Sequence, residues 1–134
     1  MIYAVIDTNV IVSSFITRHE DSATKQVIRA VYEGRVIPLY NEEIVAEYRE
    51  VLGRDHIRPY IDNPDSLINF IVDHGIKCDT ETWPESMPDE DDRVFFEVAL
   101  GSQNDNSKLV TGNLKHFPKV NFVITPGQLL SLLV

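Results

Sequence analysis

The run Ile2-Tyr3-Ala4-Val5-Ile6 carries no charge, is rich in β-branched residues, and is followed at once by Asp7-Thr8-Asn9. Such a segment fits a strand covered on both faces, and strands covered on both faces belong to parallel sheets with helices above and below. The same feature sets an acid at the rim of that sheet, where it is partly removed from water and in want of a cationic partner. A simpler role for Asp7, capping the next helix, competes with this, but Thr8 and Asn9 cap equally well.

The rest of the chain repeats the alternation. After the first strand, a helix is expected over 10–17, and a second over 21–33, where Ala23, Val27, Ala30 and Val31 share a face and Gly34 stops the run. Arg35–Tyr40 reads as a strand, and Asn41 caps a helix over 42–52 that ends at Gly53. Two further helices are expected over 55–61 and 64–74, the latter with Pro64 in its first turn and Gly75 as its stop, before a short strand over 76–79. Thr80–Asp92 holds Pro84, Pro88 and a run of acids, and is the one long loop expected. A helix over 92–103, strands over 108–111 and 121–125, and a last helix from Pro126 complete the order. Strands alternating with helices predict an α/β fold, a mostly parallel central sheet flanked by helices on both faces, as a single domain over 1–134.

Bulk properties narrow the function. The 134 residues are 43% hydrophobic and 25% charged, enough for one sizeable core. No apolar run approaches a membrane span, and the first residues lack the basic start of a secretory leader. One cysteine, Cys78, makes no internal disulfide and reads as a small half-buried residue near a strand; the cytoplasm is the expected location. The histidines at 19, 56, 74 and 116 show no zinc-site spacing. The formal charge of −9 is unusual for a protein that meets nucleic acid, and fits acids gathered for metal or for a basic partner as well as plain solubility.

In an open α/β sheet, ligands bind at the carboxyl ends of the strands, so Asp7 and Asn113 are expected at one edge. In the helix over 42–52 the apolar stripe is Ile44, Val45, Tyr48, Val51 and Leu52. Glu47 lies at the margin of that stripe, whereas Glu42, Glu43 and Glu50 face water. Geometry alone leaves open whether Glu47 reaches over the sheet edge or is a solvated flank. In Asp89-Glu90-Asp91-Asp92, capping and the helix dipole account for some of the four acids, and a nearby cation relieves the rest. Three acids converging on one edge suit Mg²⁺ or Mn²⁺ and phosphodiester hydrolysis.

At this point the chain resembles a PIN domain over nearly its whole length. The opening Asp7-Thr8-Asn9-Val10, a mid-chain helix acid at Glu47, a helix-opening acid at Asp92 seven residues before Ala99, and Leu109-Val110-Thr111-Gly112-Asn113-Leu114-Lys115-His116-Phe117 follow the four motifs in order. The spacing to Ala99 favours Asp92 over Asp91. One departure stands out: where the fourth motif often supplies another Asp, this chain has Asn113.

The resemblance implies a metal-dependent endoribonuclease similar to the VapC-like toxins of toxin–antitoxin pairs, with a cognate antitoxin and a second copy of the chain as partners. It implies that Asp7, Glu47 and Asp92 hold Mg²⁺ or Mn²⁺, that Thr8, Asn9, Thr111 and Asn113 orient ligands or meet phosphate, and that Arg93 and Lys115 meet the RNA backbone. Two alternatives stand beside it. One is a catalytically weak or inactive PIN domain that binds RNA or protein. The other is a phosphoaspartyl phosphatase of haloacid-dehalogenase type using Asp7 and Thr111, which Asn9 opposes because that family wants an acid there.

Overall fold

In the computed structural model, residues 1–133 are described. Five parallel strands, β1 (Ile2–Ile6), β2 (Val36–Tyr40), β3 (Ile76–Lys77), β4 (Lys108–Val110) and β5 (Val123–Ile124), form one sheet in the order β3-β2-β1-β4-β5. The α-helices are α1 (Thr8–Ile16), α2 (Ala23–Tyr32), α3 (Glu42–Leu52), α4 (Pro64–His74), α5 (Arg93–Gly101) and α6 (Pro126–Leu132). The α/β class and parallel sheet follow from β1 itself: Ala4, Val5 and Ile6 are almost wholly buried, so the strand needs cover on both faces.

The chain builds β1, β2 and β3 outward in one direction, then returns to lay β4 on the other side of β1. The direction of winding therefore reverses between β1 and β4, and a crevice opens beyond the carboxyl ends of those two strands. The β1–β4 ladder runs into that crevice, where the Asp7 amide donates to the Val110 carbonyl at 2.9 Å, and the neighbouring β4–β5 ladder continues there as the Thr111 amide donates to the Ile124 carbonyl at 3.0 Å. α4 and α5 pack on the sheet with α3, while α2 lies against both α1 and α6.

Local chemistry sets most boundaries where the sequence puts them. Asn41 accepts from the Ile44 amide at 2.9 Å and starts α3, and Thr125 with Gln128 forms a reciprocal cap on α6. Gly34 follows α2 at a φ of +77°, a left-handed conformation that favours glycine. Gly75 turns the chain from α4 into β3 where a Cβ would stand 2.4 Å from the carbonyls of both Ile71 and Pro38.

The helix expected over 55–61 is not formed. Its place is taken by turns and one 3₁₀ turn, Arg58–Tyr60. Pro59 has no N–H to give and disfavours an α-helical residue before it, while Ile57 and Ile61 still reach the core from the irregular path. The strand expected over 121–125 shortens to two residues at the sheet edge. α1 starts two residues early, with Asp7 rather than Thr8 or Asn9 in the flanking cap position.

Candidate functional site

Asp7 directly follows β1 and is 4% exposed. The Thr111 hydroxyl, from the matching end of β4, donates to Asp7 Oδ2 at 2.7 Å and accepts from the Asn113 amide at 3.0 Å. Burial pushes the Asp7 carboxyl above the usual carboxylate range, against the Thr111 hydrogen bond, the amides of Asn9 and Thr8 and the nearby His116. Asn9 closes the same corner by accepting from the Gly112 amide at 3.1 Å.

Glu47 reaches this rim because of its neighbour. Tyr48 is fully buried in the α3 stripe, and its hydroxyl donates to the Ile6 carbonyl, fixing α3 against the last residue of β1. One position back on the helix, Glu47 then stands at the margin, half-buried, and accepts a hydrogen bond from the Thr8 hydroxyl. Burial raises the pKa of Glu47, and Asp7 and Glu50 add to the rise while Thr8 and Arg54 oppose it. Glu42, Glu43 and Glu50 are exposed, as the stripe geometry predicts.

The third acid comes from the other side. A 3₁₀ turn, Glu90–Asp92, leads into α5; Asp91 is exposed and Asp92 turns inward. Asp92 Oδ2 lies 3.0 Å from His116 Nδ1. Its carboxyl is pushed up to about 6, first by burial and then by the charges of Asp7 and Asp89, with His116 opposing. Asp7, Glu47 and Asp92 therefore line one open cleft of about 490 Å³, together with Thr8, Asn9 and Ser13 and the groups described next.

His116, His56, Arg54 and Asp89, to which the sequence pattern assigns no role in a site, also line this cleft. His116 sits on the 3₁₀ turn Leu114–His116, which Asn113 immediately precedes. Residues three apart eclipse in a 3₁₀ turn, and the Asn113 side-chain nitrogen lies 2.8 Å from His116 Nε2. Asn113 thus faces a histidine. The spacing of Asn113 and His116 was the available signal; the partner Asp92, 24 residues away, had no local signature.

Arg93 is placed differently from expectation. Its guanidinium donates to Glu90 at 2.7 and 3.0 Å, to the carbonyls of Trp83 and Glu85 at 2.8 Å each, and to Glu97 at 3.4 Å. A side chain so committed holds the 80–89 loop down and has no donors left for an RNA backbone. Its hydrogen bonds hold Glu90 at a pKa of about 2. Lys115, in contrast, is exposed on the turn that carries His116.

Residues 3–115 match the family model for the PIN domain. No curated protein sequence and no solved structure gives a significant match. No helix among the described residues is long and apolar enough to cross a membrane.

Proposed function

The chain belongs to the PIN-domain family, a nuclease fold, and on that premise we propose that it is a divalent-metal-dependent endoribonuclease that hydrolyses RNA phosphodiester bonds through Asp7, Glu47 and Asp92. The observation that carries this reading is the meeting of three carboxylates from β1, α3 and the start of α5 in one cleft, each with its pKa raised. Burial is the first cause for all three, the charge of Asp7 adds to it at Glu47 and Asp92, and a bound cation would relieve both effects. Among the described residues none of the three forms a salt bridge to lysine or arginine. The donor set fits Mg²⁺ or Mn²⁺, which take hard oxygen ligands.

Asp7, Glu47 and Asp92 would hold the cation, which when bound neutralises phosphodiester charge and makes water acidic enough to attack near neutral pH. The chain's own contribution is placement. Thr111 fixes the rotation of the Asp7 carboxylate, Thr8 fixes Glu47, and Asn9 pins the Gly112 amide so that the two strand ends keep their spacing. Lys115 is the proposed contact to the RNA backbone.

The same reading makes the protein the toxin of a toxin–antitoxin pair acting in the cytoplasm, with a homodimer as its assembly. The charge of −9 supports a basic antitoxin segment as partner. A second reading, a weak or inactive domain that binds RNA or protein, is favoured by Asn113, which brings no charge to the fourth motif. Cleavage of mixed RNA with Mg²⁺ or Mn²⁺ decides between them. The expected result is cleavage by wild type, lost on Asp7→Asn and on adding EDTA. A well-folded wild type that neither cleaves nor binds either ion overturns the nuclease reading. Growth arrest on expression of wild type, absent with Asp7→Asn, tests the toxin role.

A further inference from the structure

The cleft contains one cluster that three carboxylates do not explain. Asp89, Asp92 and His116 each offer one ligand atom, and these atoms lie within 4.8 Å of one another. Two separate segments supply them, the lead-in to α5 and the turn after β4. The His116 Nδ1 atom faces both acids, 3.0 Å from Asp92 Oδ2 and 3.6 Å from Asp89 Oδ2. At the back of the ring, Nε2 meets the Asn113 side-chain amide at 2.8 Å. Here the amide nitrogen donates to Nε2 and Nδ1–H donates to Asp92; a cation that took the place of that proton would find Nδ1 already turned toward two carboxylates and the far nitrogen beside an amide able to hold it.

Resting on the metal-dependent reading above, we propose that Asp89, Asp92 and His116 form a second divalent-cation seat beside Asp7 and Glu47, and that His116 turns its preference toward first-row ions such as Mn²⁺ over Mg²⁺. Asp92 belongs to both seats, since it bonds His116 and lines the same cleft as Asp7 and Glu47. Mg²⁺ favours oxygen donors and keeps its waters, whereas an imidazole nitrogen suits transition ions. Asn113 then has a definite task. When Nδ1 gives up its proton to serve as ligand, Nε2 carries the remaining one, and a half-turn of the Asn113 amide presents its oxygen to that N–H. An aspartate at 113 would add a charge; the amide serves the ring in either tautomer.

The test is calorimetric titration of the whole chain with Mn²⁺ and, separately, Mg²⁺, for wild type and His116→Gln. Wild type is expected to bind Mn²⁺ more tightly than Mg²⁺. His116→Gln is expected to lose about tenfold or more in Mn²⁺ affinity while keeping its Mg²⁺ affinity. Unchanged Mn²⁺ binding, or equal loss for both ions, overturns the seat and leaves the three-carboxylate reading standing. Failure of wild type to bind either ion overturns both. Imidazole resonances of wild type give a readout independent of how the variant folds. Substoichiometric Mn²⁺ is expected to broaden His116 well before His19 and His74; uniform broadening, or none at His116, overturns the proposal.

Discussion

Replacing Asp92 by asparagine should make the metal-free protein more stable. The Asp92 carboxyl is pushed from 3.8 to about 6, by burial first and then by Asp7 and Asp89. Two pKa units correspond to about 3 kcal/mol of cost for keeping the group charged at pH 8. The side chain is only 14% exposed, but the cleft is open and water screens the repulsion. Asparagine also keeps a hydrogen bond from His116 Nδ1–H while losing its charge. The net gain for Asp92→Asn is therefore about 1 kcal/mol, or about 4 °C in Tm for a chain of this size.

The pH dependence has a definite sign. A carboxyl whose folded pKa is raised binds its proton more readily in the folded state, so wild type recovers stability as pH falls from about 6 to about 4. The advantage of the variant should be full at pH 8, shrink through that window and vanish below it. Saturating Mn²⁺ should reverse the order, because an ion at a hundred times its Kd adds about 2.7 kcal/mol to the protein that binds it. Thermal unfolding by circular dichroism, in EDTA and in Mn²⁺, at pH 8 and pH 4, supplies the four comparisons. A variant no more stable than wild type in EDTA at pH 8, or equally advantaged at pH 4, refutes the account of Asp92 as a carboxylate held charged at a cost by burial and by its acidic neighbours.

Thr111→Val keeps the shape of the side chain but leaves Asp7 Oδ2 without its hydroxyl donor. A loss of about 1–3 kcal/mol in unfolding free energy is expected, with RNA cleavage falling and Thr111→Ser restoring much of both. Arg93→Ala removes the donors that hold the carbonyls of Trp83 and Glu85, so the emission of the single tryptophan should shift to the red and proteases should cut first within 80–89. Unchanged emission would show that the packing of Trp83 on Phe96, at 5.1 Å between ring centres, holds the loop unaided.

What could be read from sequence was what local chemistry decides. Asn41, Gly53, Pro64 and Gly75 bound α3 and α4 at the expected residues because a cap or a stop acts within a turn of its own position. Glu47 was separated from Glu42, Glu43 and Glu50 because helical periodicity assigns faces. The failure over 55–61 arose where Ile57 and Ile61 imitate helical spacing in a segment that Pro59 interrupts. The partners of His116 and Arg93 depend on how the 80–92 loop lies over the sheet, which pattern in one dimension does not encode. Arg93 looked available because its neighbours in sequence are acids; in space those acids, with two backbone carbonyls, consume it.

The hydrogen bonds from Thr111 to Asp7 and from Gly112 to Asn9 join residues more than a hundred positions apart. During synthesis Asp7 has no hydroxyl partner and Asn9 has nothing to clasp until the turn after β4 has emerged. Assembly of the cleft therefore waits for the turn after β4, whatever has folded before it. A nascent chain stopped short of that turn carries its acids without the clasp that aligns them, and a partner recognising the finished rim would be recognising, in effect, that translation has run past it.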